Sequence, residues 1–436
     1  MSSRLAYLDA IKVLLVAGVI AMHTAITFGL DGSWYLESYD PMSDAVVGAI
    51  TMLLGIGWLF GLGLFFLIAG RLTAPSFDRK GPHRFVRDRL LRLGVPLAAY
   101  TLLVSPVLEY VSYRENDDGT GPLWPFVREQ VWHLAPGPTW FLEALLAFSL
   151  AYVLLRVLRP EASPPVPRAL CGRVVVTAAL AIAVAAFAVH LAFAIGSEQL
   201  HLQLAMFPQY VVLFSLGVAA GRRAWLETLT PALRRRCGIA AALAAVGFPL
   251  VLWAGGFFDG GAAEDRFAGG LHWQAAAGTL LEGVLATCAS LWVVTHFRDH
   301  EQRYARPLIR RMSPAAYGAF VIHPPVLVGL AFAVHPLPGP AELRFLLVLA
   351  AGIAASFGLA GLARGRVLDH RRKALADADA HGRHAVAAAA AAQLVGERSD
   401  QAGARAAQRV AQRDRAAVDV QAVVVEPELA HGREHL

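Results

Sequence analysis

The sequence predicts an all-α polytopic membrane protein, a bundle of about ten transmembrane helices with both termini in the cytoplasm. Ten apolar stretches each have the length, about 18–24 residues, that a helix needs to cross roughly 30 Å of hydrocarbon. Hydrophobic residues make up 56% of the chain, charged residues only 17%, and the mean hydropathy is +0.49. A soluble domain carries more charge.

The stretches are predicted to be helices because backbone groups in lipid have no other local partner. They cover residues 7–29, 47–70, 93–113, 139–158, 174–195, 204–221, 238–257, 273–296, 314–334 and 343–363. In the second stretch, Gly55, Gly57, Gly61 and Gly63 have the small-residue spacing that allows close contact between helices. We therefore expect these four glycines to serve helix packing.

Basic residues crowd every second connection between the stretches. The segment Arg71–Arg92 is the richest, and residues 156–173, 222–236 and 298–311 hold further arginines. Because Lys and Arg are retained on the cytoplasmic side during insertion, this alternation predicts a multi-pass protein of the cell (inner or plasma) membrane with an even number of spans. The basic pI of about 9.4 follows from these loops, so we expect no nucleic-acid partner.

Composition divides the chain into two regions. Residues 1–370 are predicted to form the transmembrane domain, and residues 371–436 a low-complexity cytoplasmic tail rich in Ala and Arg. The tail has no apolar periodicity that would support a packed core. The chain has three cysteines and no cysteine or histidine cluster of the kind that holds a structural metal, so no metal is expected.

Two connections on the outer side are rich in aromatic residues. Asp31–Val46 contains Trp34 and Tyr35, and Arg114–Pro138 contains Trp124. Aromatic residues at this level usually form a belt at the membrane interface. A surface that contacts sugars is the alternative.

Ionisable residues within the spans are costly in lipid, and so each is a functional candidate. The candidates that matter most are Lys12, His23, Glu143 and His323. Lys12 and His23 are eleven residues apart, which places them on nearly the same helix face. Structural alternatives exist for each type: a lysine can extend to the membrane surface, a histidine can be a hydrogen-bonded core residue, and Glu143 can pair with a buried cation.

Four motifs together resemble the membrane acyltransferase-3 family, which includes glycan O-acetylases and the osmoregulated periplasmic glucan succinylation protein. They are Leu8–Lys12 with His23 eleven residues beyond the basic residue, Leu64–Gly70 continuing through Phe85–Pro96, Trp140–Glu143, and Tyr317–Pro325. The family usually has Arg where this chain has Lys12 and Ser where it has Ala69.

The resemblance implies transfer of an acyl group, with acetyl expected, from cytoplasmic acyl-CoA to a hydroxyl of a carbohydrate or another small acceptor. His23 is the expected general base. Glu143 is expected to orient it or stabilise its charge, and His323 either takes that role or contacts the thioester. The residues expected to bind the phosphates of acyl-CoA are Lys12, Arg84, Arg87, Arg89 and Arg92.

Two alternatives remain open at the level of the sequence. A transporter or exporter of an acylated or anionic small molecule would use the same intramembrane charges as a path, although no internal repeat is evident. Within the acyltransferase hypothesis, direct transfer is simpler than an acyl-enzyme because no Ser-His-Asp motif is evident, but an acyl-histidine step stays possible.

Overall fold

A computed structural model of the chain describes residues 6–36, 41–115, 119–130, 135–159, 169–199, 201–366 and 401–412. Within these ranges the protein is helical and contains no β-strand. Nine of the described helices are long and apolar enough to cross a membrane. The predicted fold class, an all-α polytopic membrane bundle, is therefore confirmed.

The helices are numbered here in chain order. The membrane-length helices are α1 (Ala6–Thr27), α2 (Asp44–Glu115), α4 (Trp140–Leu158), α5 (Gly172–His190), α6 (Phe207–Arg223), α7 (Pro231–Ala254), α9 (Trp273–Asp299), α12 (Ala316–Val334) and α13 (Ala341–Arg366). Shorter helices are α3 (Leu123–Gln130), α8 (Ala262–Ala268), α10 (Glu301–Tyr304), α11 (Pro307–Met312) and α14 (residues 401–412). Helix α2 includes two π-helical turns, Leu90–Gly94 and Tyr100–Val104.

Helix α2 is a hairpin whose two arms meet at Gly81. This glycine has φ +72° and ψ 168°, a conformation that interrupts the helix. The Arg89 guanidinium donates to the Thr73 hydroxyl at 3.3 Å, although residues sixteen apart in a straight helix would be separated by about 24 Å. The Phe77 and Phe85 rings meet edge to face with centroids 5.7 Å apart, centred on the same glycine. The chain therefore reverses direction at Gly81.

The reversal reconciles nine helices with ten predicted spans. The stretches predicted at residues 47–70 and 93–113 lie in different arms of α2, so this helix supplies two passes. The arginine-rich segment Arg71–Arg92 lies on both sides of the turn at Gly81. An even number of passes returns the chain to the side from which it started; which side of the membrane this is stays a prediction.

Helices α2 and α6 pack with their backbones in contact. A Cβ atom added to Gly217 would lie 2.1 Å from the Leu67 carbonyl oxygen, and one added to Gly70 would lie 2.1 Å from that of Phe214. Only glycine at these two positions allows so close an approach, which is typical of helix pairs in membranes.

Two clusters of buried apolar side chains fill the bundle. One joins the second half of α1 to α2, α4, α6, α12 and α13, and it contains the segment that follows α1. The other joins the first half of α1 to α2, α5, α6, α7 and α9. Helix α1 contributes to both clusters along its length, and so it positions any functional group that it carries.

The chain separates into two compact units, Met1–Leu362 and Ala363–Leu436. The first contains the helices up to and including most of α13. In the second, residues 363–366 and 401–412 are described, and the latter form an exposed helix. The predicted low-complexity tail at 371–436 lies otherwise outside the described residues, so its boundary stays a prediction.

Candidate active site

Two histidines that are 300 residues apart in the sequence form a hydrogen-bonded pair. Nδ1 of His23, in α1, lies 2.9 Å from Nε2 of His323, in α12, and the two rings are nearly parallel. His323 is fully buried, whereas His23 is partly exposed. Helices α1 and α12 pack against each other, and this contact brings together two of the three predicted catalytic residues.

Pro324 explains the orientation of the His323 ring. In a regular helix the Phe320 carbonyl accepts a hydrogen bond from the backbone N–H of residue 324, but proline has none. The His323 Nδ1–H group donates to this carbonyl instead, at 2.6 Å. Pro324 thus frees a backbone acceptor that a buried polar side chain uses.

The hydrogen bonds also define the tautomers of the pair. A carbonyl oxygen only accepts, so the proton of neutral His323 is on Nδ1 and the lone pair of its Nε2 is available. The Nδ1–H group of His23 donates to that lone pair. The Nε2 atom of His23 is then unprotonated, and it is the atom of the pair that can accept a proton from a third group.

Trp34 covers the other face of His23. The two rings stack with centroids 4.2 Å apart and an angle of 12° between their planes. Trp34 is 7% exposed, so it is part of the site and does not lie in an interfacial belt. The segment after α1, predicted only as an aromatic connection, therefore folds back over the histidine pair.

A cavity of about 660 Å³ opens beside His23. Its described lining includes three tryptophans and three carboxylates but no lysine or arginine; these residues are Trp34, Trp58, Trp140, Asp31, Glu109 and Glu198. His201 and Gln203 add hydrogen-bonding groups. The size is ordinary for a small-molecule site, and the mixture of aromatic faces with polar groups suits a polyhydroxylated ligand.

Tyr35 lies in the same lining and shares a hydrogen bond with Tyr100, their hydroxyl oxygens being 3.3 Å apart. Burial raises the pKa of Tyr35 to about 12, an effect that its hydrogen bond with Tyr100 only partly offsets. The phenol therefore stays protonated at neutral pH and can act there as a hydrogen-bond donor but not as a base. His23 Nε2, whose lone pair is oriented through the hydrogen bond between His23 and His323, remains the candidate base beside the carboxylates and His201 of the same lining.

Glu143 is the third predicted catalytic residue, and it does not contact the histidine pair. It lies one turn beyond Trp140 in α4 and is half-buried. In the described part of the chain, no hydrogen bond or ion pair joins it to either histidine, and it does not line the cavity. His323 thus occupies the position beside His23 in which a supporting group was expected.

The predicted phosphate-binding residues differ in whether their charged groups already contact other side chains of the protein. Arg92 pairs with Asp88 (Nε to Oδ1, 3.4 Å), and Lys80 pairs with the same carboxylate. Arg89 lies over the Phe85 ring and donates to Thr73.

Lys12, near the start of α1, pairs with Asp9 in the same helix, 3.7 Å away. Arg84 and Arg87 are exposed and have no ion pair within the described residues. They are the most available cations of the predicted set. No cluster of potential metal ligands occurs in the described part of the chain.

A family model described as an acyltransferase domain matches residues 5–363 of the chain. The match covers both histidines, all five residues of the predicted phosphate site and the described helices from α1 nearly to the end of α13. No curated protein and no solved structure shows significant similarity to the chain.

Proposed function

Because the chain belongs to the membrane acyltransferase-3 family, we propose that this membrane acyltransferase moves an acyl group, with acetyl expected, from cytoplasmic acyl-CoA to a hydroxyl of a carbohydrate or another small acceptor. The observation that carries the proposal is the hydrogen-bonded His23–His323 pair at the wall of a polar cavity. The cell membrane and the inward position of both termini are part of the proposal and rest on the alternation of charged loops.

In the proposed reaction the acceptor hydroxyl attacks the thioester carbonyl, and His23 Nε2 takes its proton. The new C–O bond forms while the C–S bond breaks, and the proton then passes from His23 to the departing thiolate. A neutral imidazole suits this role because it accepts and returns a proton near neutral pH. Direct transfer of this kind needs no covalent enzyme intermediate.

Two contacts of His23 stabilise the positive charge that its ring gains during the reaction. His323 Nε2 accepts from His23 Nδ1–H throughout, and this hydrogen bond strengthens when the ring becomes cationic. The face of Trp34 attracts the same charge, an interaction worth about 2 kcal/mol when desolvated. We assign His323 the positioning role; the role of Glu143 stays a prediction.

For the donor we propose that Arg84 and Arg87 bind phosphate groups of acyl-CoA, with Arg89, Arg92 and Lys12 contributing positive potential. Guanidinium groups form paired hydrogen bonds with phosphate. The exposure of Arg84 and Arg87, next to the Gly81 turn, leaves both groups available to a ligand that approaches from that side.

For the acceptor we propose an uncharged or amino-bearing polyol, such as a sugar. Asp31, Glu109 and Glu198 line the cavity without a compensating lysine or arginine among the described lining residues. An anionic acceptor would be repelled there, whereas the hydroxyls of a sugar can donate to carboxylates and the C–H face of its ring can stack on tryptophan.

The most direct test is to incubate purified protein with acetyl-CoA labelled in the acetyl group, with and without glycoside acceptors. We expect label to leave CoA and to appear on acceptor. A transporter of the same compounds would carry label across a vesicle membrane but leave it on CoA, and that outcome would contradict the proposal.

A further inference from the structure

A second cavity, an apolar groove of about 320 Å³, runs between α1 and the first arm of α2. Its walls are formed by side chains from Ile11 to Met22 in α1 and from Leu53 to Phe65 in α2, and α9 closes one side. Ile11 and Met22 are eleven helical steps apart, about 16 Å, so the groove is long enough for an extended chain.

The groove adjoins the polar cavity that contains His23. Met22 and Trp58 line both spaces, and Met22 directly precedes the proposed base in the sequence. A single ligand can therefore have one part in the polar cavity and another in the groove.

The lining of the groove accepts hydrocarbon and little else. Every described residue along it is Ile, Leu, Val, Met, Phe, Trp or Gly, so a chain with amide or hydroxyl groups would lose its hydrogen bonds to water without replacement. The pantetheine arm of CoA contains two amides and a hydroxyl, and it fits this lining poorly. Leu14 and Leu53, which are 52% and 74% exposed on membrane-spanning helices, form the mouth of the groove.

The walls include glycines that leave the groove open. A Cβ atom added to Gly18 or Gly57 would meet no atom within 4 Å. The prediction that the glycines of this stretch serve helix packing is thus wrong for Gly57 and also for Gly55, which faces open space in the polar cavity. It is right for Gly63, where an added Cβ would lie 2.5 Å from Leu213.

We infer that the acceptor is a glycolipid with an uncharged sugar head group, whose hydrocarbon tail lies in the groove while the head group lies beside His23. This inference rests on the proposed function and narrows its acceptor class. The lateral mouth at Leu14 and Leu53 lets the tail enter from the bilayer. The absence of lysine and arginine from the described lining of the polar cavity disfavours a phosphate in the head group.

The test uses the full-length protein in phosphatidylcholine nanodiscs and a dodecyl β-glucoside with a diazirine at the end of its alkyl chain. Photolabelling of α1 and α2 peptides should saturate, and excess unlabelled dodecyl β-glucoside should displace the probe. Methyl β-glucoside and dodecyl phosphate should displace it at least tenfold less well. Labelling that only rises linearly with probe, or displacement by dodecyl phosphate as effective as by the glucoside, would overturn the inference.

Substitutions of glycines in the groove walls test whether the photolabelled site is the groove. Gly57→Leu should weaken saturable labelling at least tenfold by filling the space, and Gly18→Leu should do the same. Gly48→Leu is the matched control, because Gly48 is on the same helix with open space around it and does not line the groove. Unchanged labelling in both groove variants would contradict the inference.

Competition by lauroyl-CoA tests whether the groove binds the acyl chain of the donor instead of the tail of the acceptor. If lauroyl-CoA displaces the probe from the groove as well as dodecyl β-glucoside does, the groove holds the acyl chain of the donor and the inference fails.

The same preparations are assayed for His23-dependent release of labelled acetate or acetyl transfer from acetyl-CoA. Absence of that activity in the wild-type protein would contradict the proposed function. Intact activity without saturable labelling would contradict only the inference that the acceptor is a glycolipid.

Discussion

At the scale of single residues, binding of the donor depends on which positive charges have no partner within the protein. Arg92 is paired with Asp88, and Arg89 is packed on Phe85, whereas Arg84 and Arg87 are exposed without an ion pair in the described structure. The sequence alone does not distinguish these four arginines, because a charge pattern does not show which side chains already have partners.

The first prediction concerns these arginines. Arg84→Ala combined with Arg87→Ala should raise the apparent KM for acetyl-CoA at least tenfold, since each charge-assisted contact contributes about 1.5–3 kcal/mol. Arg89→Ala combined with Arg92→Ala is the matched control with the same change in net charge, and it should have the smaller effect on KM. Equal effects of the two double variants would show that general positive potential, and not specific contacts, binds the donor.

The second prediction concerns Trp34. Trp34→Leu should lower kcat about tenfold or more, because it removes the ring that stabilises protonated His23, while the donor KM stays near the wild-type value. Trp34→Phe keeps an aromatic face and should retain more activity. Steady-state kinetics on detergent-purified protein distinguish the two, and equal turnover in both variants would contradict a role for the ring face.

At the scale of secondary-structure elements, two interruptions of helical hydrogen bonding shape the molecule. Gly81 turns α2 into a hairpin, and Pro324 frees the Phe320 carbonyl that orients His323. Both residues are visible in the sequence. Their consequences are not, because the sequence alone does not show that the His323 ring donates to the Phe320 carbonyl in place of the missing backbone N–H.

The third prediction tests the second interruption. Pro324→Ala restores a backbone N–H that competes with His323 for the Phe320 carbonyl, so kcat should fall about tenfold, which corresponds to ~1.4 kcal/mol. The helix should be no less stable, since proline is unfavourable inside helices. Pro325→Ala is the control, because its new N–H faces the Val321 carbonyl instead. If Pro325→Ala lowers kcat as much as Pro324→Ala does, the Phe320 carbonyl does not orient His323 for catalysis.

At the scale of the whole molecule, the membrane-spanning pattern was predictable from apolar stretches, and charge alternation predicted an even number of passes. The active site was predictable only as separate candidates. His23 and His323 stand out because ionisable residues are rare in spans, but their 2.9 Å contact depends on the packing of the first helix against one that begins about 300 residues later. The role of Trp34 and the groove depend on tertiary packing of the same kind.

The fourth prediction tests the orientation of the bundle. In a Cys171→Ser background, which removes the exposed native cysteine, single cysteines are introduced at His83 and Thr120, both exposed and near opposite ends of the second arm of α2. In intact cells an impermeant thiol reagent should label Thr120→Cys, and it should label His83→Cys only after permeabilisation. Labelling of His83→Cys in intact cells would reverse the topology and place the arginines on the wrong side for cytoplasmic acyl-CoA.

The claim that His23 is the base of acyl transfer is tested by the turnover of detergent-purified His23→Ala, with acetyl-CoA binding measured on the same sample. Turnover should fall about 10²–10⁴-fold, the usual contribution of a general base, while acetyl-CoA binding and assembly persist. His190→Ala is the control, since His190 is a buried histidine bonded to the Ala205 carbonyl outside the site. Near-normal turnover by folded His23→Ala would contradict the claim.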